Sequence, residues 1–400
     1  MSRQFDTANS HLLAKLRVEL VDAMLKQQPL TPTIQNAFLR MPREVFVPYF
    51  YERDEVECKR MVWKQMSPEM MSAHQYLTLI YRDDALVTNV DSRGMPNSSS
   101  SQPSIMASMI EALDIEPGHR VLEIGTGTGY NAALLAYLTG DSHLVTSIDI
   151  DPRLVQQARN ALDRAGIKGV HTIVGDGYQG YQQNAPYDRV IATASAPTLP
   201  PEWYKQLAPG GRLVMDVHGS LEGSFFLLDK SKQGTQAIGR FFDRAIHFMP
   251  LSNRDVITPS LMIHLKERLA QPCRATFELP AGSPFPAILK TRSFRWLLQW
   301  SMLGCQLQER SQTSQNGSII HHFYLCEPNT KTLLCFLRRE SGEHWQGSIF
   351  GSRPLWSDLN DAYALWHQLD CPEVDRYRVE VNEQGQALLL VGAFSFALPR

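Results

Sequence analysis

The most constraining feature of this 400-residue chain is a glycine-rich turn that follows a short apolar stretch. The segment 121–130 reads Val-Leu-Glu-Ile-Gly-Thr-Gly-Thr-Gly-Tyr, which predicts a buried strand, a tight turn and then a helix. Glycine lets a backbone turn this sharply and leaves room for a ligand to lie against it. The amides and the positive dipole end of the following helix suit a carboxylate or a phosphate. The sequence therefore predicts a ligand site near residue 125.

The spacing of the glycines separates two classes of nucleoside cofactor. Dinucleotide-binding folds use G-x-G-x-x-G, whereas this chain has G-x-G-x-G with an acidic residue two positions before the first glycine. The second pattern is typical of methyltransferases that use S-adenosyl-L-methionine (SAM) and release S-adenosyl-L-homocysteine (SAH). The predicted cofactor residues in this segment are Glu123, Gly125, Thr126, Gly127, Thr128 and Gly129.

Two further predicted strands also end in an acidic residue. The stretch 144–149 ends in Asp149, about twenty residues after the glycines, where a carboxylate can bind ribose hydroxyls. The stretch 170–177 ends in Asp176 and Gly177, a usual place for a contact to the adenine amino group. A single strand end of this kind is readily explained as an ordinary turn with a solvated acid. Three in the right order indicate one cofactor site that includes these residues.

The composition excludes several classes of function. Hydrophobic residues make up 43% and charged residues 20% of the chain, which is long enough for two or more domains. A net charge of −2 gives no sign of the positive charge that nucleic-acid-binding proteins carry. The N-terminus lacks the features of a secretory signal, and no apolar run is long enough to cross a membrane. We expect a cytoplasmic protein that binds neither nucleic acid nor membranes.

Metal ligands and disulfides are not indicated by the sequence. The six cysteines include no C-x-x-C pair, and the adjacent residues His321 and His322 have no partner at metal-ligand spacing. Cys326 and Cys335 could face each other across a predicted hairpin, but free thiols are the better expectation in a reducing compartment. We predict no metal site and no disulfide framework.

The order of predicted elements divides the chain into three parts. Residues 1–99 begin with helical stripes at 11–27 and 31–41 and lead into the site. Residues 100–255 alternate strands and helices, which predicts a mostly parallel sheet covered on both faces. Residues 256–400 begin with proline-rich boundaries and short alternating strands, and we expect a separate α+β accessory domain. The strands predicted in the middle part are 120–124, 144–148, 172–174, 189–193 and 211–217, and the helices are 104–113, 130–138, 152–165 and 200–207.

A serine-rich segment precedes the first helix of the middle part. Residues 97–107 read Asn-Ser-Ser-Ser-Ser-Gln-Pro-Ser-Ile-Met-Ala. They resemble the hallmark segment T-I-S-[Q/A]-P-x-x-x-A of the protein-L-isoaspartate O-methyltransferases, with Ser101 as the functional serine. The segments 37–48, 175–181, 185–191 and 207–211 resemble further blocks of that family in the same order. A helix-capping role would explain Ser101 equally well on local grounds.

The resemblance implies a Rossmann-like, doubly wound α/β fold of the SAM-dependent methyltransferase type. It implies that the glycine-loop residues and the strand-end acids hold SAM. It further implies that Ser101, with Ser100 beside it, acts at the carboxylate of the cofactor's methionine or of the substrate. The reaction implied is esterification of an aspartyl-type side-chain carboxylate in a peptide or protein. The ester then closes to a succinimide, which returns some normal aspartate when the substrate is isoaspartyl.

Some features depart from the repair enzymes of that family. The threonine and isoleucine before the key serine are replaced by Ser99 and Ser100, and the chain is about twice as long. With the segments 90–94 and 244–251, these features resemble the subgroup that modifies ribosomally made peptides such as lanthipeptides and graspetides. That resemblance implies methylation of L-aspartate in a macrocyclic precursor peptide, with aspartimide as the product. The alternatives are isoaspartyl repair, methylation of a small molecule or RNA, and an inactive peptide-binding module.

Overall fold

The computed structural model describes residues 7–56, 60–251, 269, 272–280, 282–313, 319–339 and 344–398. The helices in these ranges are α1 Thr7–Gln27, α2 Pro32–Arg40, α3 Arg43–Phe46, α4 Ala73–Ile80, α5 Pro103–Leu113, α6 Tyr130–Thr139, α7 Pro152–Arg164, α8 Pro201–Gln206, α9 Arg292–Ser301 and α10 Leu355–Gln368. The strands up to residue 241 are β1 Phe50–Val56, β2 Arg60–Met66, β3 Leu86–Val90, β4 Pro96–Ser100, β5 Val121–Ile124, β6 Val145–Asp149, β7 His171–Val174, β8 Tyr187–Ala196, β9 Leu207–His218, β10 Gly223–Lys230 and β11 Ala237–Phe241. The later strands are β12 Ala275–Glu278, β13 Gln306–Thr313, β14 Ile319–Glu327, β15 Thr332–Arg339, β16 Gln346–Phe350, β17 Arg378–Val381, β18 Ala387–Val391 and β19 Phe394–Ala397.

A ten-stranded sheet forms the centre of the molecule. Its strand order is β19-β18-β17-β11-β10-β9-β8-β5-β6-β7. The neighbours from β9 to β7 pair in parallel, and the remaining neighbours pair antiparallel. The five predicted strands of the middle part are β5 to β9, and the four predicted helices appear as α5 to α8. The predicted α/β fold is confirmed, and antiparallel strands extend its parallel half into a larger mixed sheet.

Two hydrophobic cores lie on opposite faces of this sheet. Val121 belongs to a core shared with α1, α2, α5 and α6, whereas its neighbour Leu122 belongs to a core shared with α8, α9 and α10. Successive side chains of a strand point to opposite faces, so adjacent apolar residues of β5 serve both cores. This burial on both faces explains why β5 reads as a continuous apolar run interrupted only by Glu123.

The chain after residue 271 contributes to two sheets. An antiparallel sheet has the strand order β12-β16-β15-β14-β13, whereas β17 pairs with β11 and joins the central sheet together with β18 and β19. The predicted domain boundary at residues 255 and 256 lies outside the described residues. Beyond it, the strands from Arg378 to Ala397 belong with the central sheet by their hydrogen bonds. The division of the chain at this boundary stays a prediction.

The N-terminal part contains a sheet that the helical stripes did not predict. Its strand order is β2-β1-β3-β4, and the last strand, β4, contains three of the serines of the serine-rich segment. Val87 lies opposite Ser99 and Leu86 lies opposite Ser100 in the antiparallel pairing of β3 with β4. Most of the serine run is therefore a paired strand that leads directly into α5, and not a capping segment.

Candidate active site

A cavity of about 540 Å³ lies at the carboxyl ends of β5, β6 and β8. Binding sites of open α/β sheets lie at this edge, because the loops that follow the parallel strands converge there. The volume is in the usual range for a small-molecule site. The sequence-predicted residues that line this cavity are Ser100, Ser101, Glu123, Gly125, Thr126, Gly127, Thr128, Asp149 and Gly177.

The first glycine of the turn is required by a close approach of β8. Gly125 has a φ of 98°, and a Cβ atom on it would lie 2.8 Å from Thr193 Oγ1. The Thr193 hydroxyl lies 2.8 Å from the Gly125 carbonyl oxygen and 3.1 Å from that of Ile124. A side chain at residue 125 would therefore strain the backbone and push the Thr193 hydroxyl away from these carbonyl oxygens.

The third glycine has a different role, because the structure places Gly129 outside the cavity lining. Gly129 immediately precedes α6 and has a φ of 82°. A Cβ atom on it would lie 3.0 Å from the Cβ atom of Ala158 in α7. Gly129 thus allows the close packing of α6 against α7, and its predicted role in cofactor binding stays a prediction.

Glu123 is buried at the inner end of the cavity. Its side chain is 1% exposed and accepts hydrogen bonds from Asn131 Nδ2 at 2.8 Å and from the Ser147 hydroxyl. Ser147 also bonds to the hydroxyl of Thr126, which is itself buried. Burial raises the pKa of Glu123 to about 7, and the two hydrogen bonds oppose that increase. A cationic group bound in the cavity would therefore stabilise the charged form of Glu123.

Asp149 ends β6 and faces the glycine turn. Its two carboxylate oxygens accept the Gly127 amide at 3.0 Å and the Asp151 amide at 3.1 Å. Burial raises the pKa of Asp149, and these amides oppose the increase. The amides fix the carboxylate at the cavity wall, while each oxygen keeps a further lone pair for a hydroxyl donor.

Asp176 and Gly177 follow β7 but contribute unequally to the cavity. Gly177 lines it, and a Cβ atom there would lie 2.7 Å from Leu251 Cδ1 and 2.9 Å from Ile124 Cγ2. Asp176 is not among the lining residues, and its carboxylate accepts the Tyr178 amide at 2.9 Å. Gly177 therefore lies at the cavity wall and Asp176 beside it, and the predicted contact of Asp176 with an adenine amino group stays a prediction.

The two candidate catalytic serines, Ser100 and Ser101, also line the cavity. Ser100 is 3% exposed, and its hydroxyl lies 3.3 Å from Nη2 of the buried Arg43. Ser101 is more exposed and follows the end of β4. The residue at the N-cap of α5 is Gln102, so Ser101 does not occupy the capping position that local sequence also allowed. The structure brings Ser100 and Ser101 to the same cavity as the glycine turn.

A segment that sequence motifs did not assign to the site covers one side of the cavity. We call residues 245–251 the covering segment, and all of them line the cavity. Ser195 at the end of β8 binds it through its amide to the Met249 carbonyl at 2.9 Å and through its carbonyl to the Leu251 amide at 2.8 Å. The segment contributes only backbone groups to these hydrogen bonds. Because any sequence provides such groups, no motif in the segment indicates that it lies at the cavity.

Asp216 is a second residue that sequence reasoning missed. It is fully buried near the end of β9, and its Oδ2 accepts the Phe248 amide of the covering segment at 3.0 Å. Its other carboxylate oxygen is buried without a hydrogen-bond partner among the described residues. The available signal was an acid inside the apolar stretch Leu-Val-Met-Asp-Val, the same kind of signal that singled out Glu123.

Fold and cavity together define an α/β protein with a site for a nucleoside cofactor. Residues 15–256 match the family model described as protein-L-isoaspartate(D-aspartate) O-methyltransferase. A protein-L-isoaspartate O-methyltransferase 1 of Archaeoglobus fulgidus is 32% identical over 247 residues, which are 62% of this chain and 94% of that relative. The chain belongs to the protein-L-isoaspartate O-methyltransferase family, a family of protein carboxyl O-methyltransferases.

Two other relatives bear on the length of the chain. A protein-L-isoaspartate O-methyltransferase of Thermotoga maritima is 34% identical over 195 residues, and the match spans about half (53%) of that relative. A solved structure titled protein-L-isoaspartate O-methyltransferase has a TM-score of 0.55 and 25% identity, and the similarity covers 94% of this chain and 99% of that one. The long C-terminal part therefore does not separate this chain from proteins that carry the isoaspartyl name.

Metal-binding clusters and membrane-spanning helices are both absent from the part of the chain that the structure describes. In the described ranges no group of three or more His, Cys, Asp or Glu side chains is arranged to hold a metal ion. Within the same ranges, no helix has both the length and the apolar character needed to cross a membrane. Cys335 is a free thiol, and Cys326 lies opposite Leu333 in the strand pairing and not opposite Cys335.

Proposed function

We propose that this protein is a SAM-dependent O-methyltransferase that esterifies the free α-carboxylate of L-isoaspartyl residues in peptides or proteins. The observation that carries the proposal is the convergence of the glycine turn, Asp149 and Ser101 on one cavity. The family to which the chain belongs, and the names of its relatives, support isoaspartate as the substrate class.

The residues of the cavity fit SAM by their chemistry. Asp149 offers carboxylate oxygens to the ribose hydroxyls, as strand-end acids of nucleoside-binding folds do. Glu123 offers a buried carboxylate near the glycine turn, which suits the ammonium of the methionine part. Gly125, Gly127 and Gly177 line the cavity without a side chain, so a ligand can lie against their backbone. Bound SAM supplies the electrophilic methyl group.

The protein's own part in the reaction is to position and desolvate the substrate carboxylate. A carboxylate oxygen is already nucleophilic toward a sulfonium methyl, so no general base is required. Ser101 would hold a carboxylate through its hydroxyl, and the covering segment would exclude water from the reacting atoms. An O–CH₃ bond forms as the S–CH₃ bond breaks, and SAH is released.

The methyl ester then reacts further without additional catalytic groups. The amide nitrogen of the following residue attacks the ester carbonyl, and methanol leaves as a five-membered succinimide closes. Hydrolysis of that ring returns part of the substrate as normal aspartate, which makes the overall result a repair of isoaspartyl damage.

A second candidate is the aspartimide-forming modification of L-aspartate in a ribosomally made peptide of the lanthipeptide or graspetide type. It is favoured by Ser99 and Ser100, which stand where the repair enzymes usually have threonine and isoleucine. Chain length no longer favours it. In either case we propose a cytoplasmic enzyme, with residues 256–400 assisting in peptide binding as an accessory unit.

The deciding experiment is mass spectrometry of matched peptides incubated with the protein and SAM. One peptide contains isoaspartate, and the other contains L-aspartate in both linear and macrocyclic forms. Methylation of the isoaspartyl peptide alone supports the proposal. Methylation of the macrocyclic L-aspartyl peptide followed by loss of methanol, with the isoaspartyl peptide unchanged, would establish the second candidate instead.

A titration with SAH separates these outcomes from the remaining alternatives. An inactive peptide-binding module would not bind SAH. A methyltransferase for a small molecule or RNA would bind SAH but methylate none of the peptides.

A further inference from the structure

A buried guanidinium lies directly behind the serine wall of the cavity. Arg43 begins α3 and has no exposed surface. Its Nη1 donates to the Arg82 carbonyl at 2.9 Å, and its Nη2 donates to the Asp84 carbonyl at 3.1 Å. The same Nη2 lies 3.3 Å from Ser100 Oγ and 3.4 Å from the Ser101 carbonyl oxygen. One side chain therefore joins the turn at residues 82–84 to the two candidate catalytic serines.

The charge of Arg43 is not balanced by a direct ion pair. Among the described residues no carboxylate lies within 4 Å of it, and its buried Nε has no hydrogen-bond partner there. Its guanidinium carbon lies 5.9 Å from the ring centre of Tyr130, which also lines the cavity. Burying an arginine costs several kcal/mol unless its environment compensates. Here the compensation comes from backbone carbonyls and a serine hydroxyl, which the positive charge holds in place.

We call residues 100–104 the serine loop. The turn at residues 82–84 contacts this loop a second time, through the carboxylate of Asp83. Asp83 Oδ1 accepts the Ser104 amide at 2.8 Å, and its Oδ2 lies 3.4 Å from Gln102 Nε2. Ser104 lies in the first turn of α5, where unpaired amides and the helix dipole favour a negative charge. Asp83 thus supplies the cap that Gln102 does not provide.

We propose that Arg43 and Asp83 are positioning residues that fix the serine loop against the turn at residues 82–84 and so hold Ser101 at the cavity wall. The two attachments act on opposite ends of the loop, Arg43 on residues 100 and 101 and Asp83 on residues 102 and 104. The inference rests on the proposed function only for the role of Ser101 in methyl transfer. The position of the loop can be measured without any substrate.

The experiment compares Arg43→Gln, Arg43→Lys and Asp83→Asn with the control Arg17→Gln. Arg17 pairs with Glu44 at 2.8 Å next to Arg43 but makes no contact with the serine loop. Hydrogen exchange of residues 97–106 is followed by mass spectrometry in full-length protein with and without SAH. The kcat and KM for an isoaspartyl peptide, the SAH affinity and the thermal unfolding temperature are measured in parallel.

We expect Arg43→Gln and Asp83→Asn to increase exchange in residues 97–106 and to lower kcat/KM at least about tenfold. Arg43→Lys should fall between Arg43→Gln and the wild type, because lysine keeps the charge but cannot reach both sides at once. Arg17→Gln should change the unfolding temperature without changing exchange in the loop.

The inference is overturned if Arg43→Gln and Asp83→Asn lower the unfolding temperature as Arg17→Gln does and leave loop exchange and kcat/KM unchanged. If Arg43→Gln does not fold, Asp83→Asn tests the same loop from its other end. If the wild-type protein does not methylate the isoaspartyl peptide, the proposed function fails, whereas the exchange measurements still decide the positioning role.

Discussion

Replacing Glu123 by Gln should stabilise the protein more at pH 8 than at pH 5. Folding raises the pKa of this buried carboxyl from 4.5 to about 7, so the folded state holds the proton more tightly than the unfolded chain. The stability contributed by the protonated group is therefore lost as the pH rises from about 4.5 to about 7. Ionisation of Glu123 costs the fold about 3 kcal/mol at pH 8 and less than about 1 kcal/mol at pH 5. Glutamine avoids this cost.

The hydrogen bonds of residue 123 do not confuse the comparison. The glutamine oxygen can still accept from Asn131, and its amide can donate to Ser147, whose hydroxyl can turn to Thr126. Any change in these bonds is the same at both pH values. At each pH, the free energy of unfolding of wild type is subtracted from that of Glu123→Gln. The value at pH 8 should exceed the value at pH 5 by about 2 kcal/mol, which is the contribution of the ionisation.

Urea denaturation of the ligand-free protein at pH 5 and pH 8, followed by circular dichroism, measures this difference. The control Glu116→Gln removes a carboxylate whose side chain is 70% exposed and should shift stability by less than about 0.5 kcal/mol at either pH. An equal effect of Glu123→Gln at both pH values would refute the reasoning. At pH 8 the same variant should bind SAH about ten- to a hundredfold more weakly, because the ligand's ammonium loses a charged partner.

Three further substitutions test two residues that line the cavity and one glycine behind it. Gly177→Ala should weaken SAH binding more than about tenfold in calorimetry, because its Cβ atom would lie 2.7 Å from Leu251 of the covering segment, and unchanged affinity would contradict this. Gly129→Ala should cost about 1–3 kcal/mol in urea denaturation, since its φ is 82° and Ala158 is 3.0 Å away, while SAH affinity changes little; a large affinity loss would place Gly129 in the site after all. Ser101→Ala should lower kcat/KM for the isoaspartyl peptide about tenfold or more, and activity equal to wild type would remove Ser101 from the mechanism.

Most of the parallel sheet and the glycine turn could be predicted from the sequence, because their signals are local. A buried parallel strand is apolar, and a turn residue with positive φ is usually glycine. The stretch around Gly125 contains both patterns in consecutive residues, so it indicates both the strand and the turn. The strand-end acids Asp149 and Asp176 were visible for the same reason. The local pattern could not show that Gly129 packs against Ala158 of α7, because that contact joins residues distant in sequence.

Sequence by itself determined the alternating α/β order, the cofactor turn and the serine segment of this protein. Only the tertiary structure decided which chain segments complete the cavity. The covering segment is held by backbone groups of Ser195 and by the buried Asp216, and the serine loop is held by Arg43 and Asp83. The tertiary structure also decided that strands β17 to β19 extend the central sheet. On one side of most of these attachments is a backbone carbonyl or amide, which every residue carries, so the local sequence does not show which distant segments are joined.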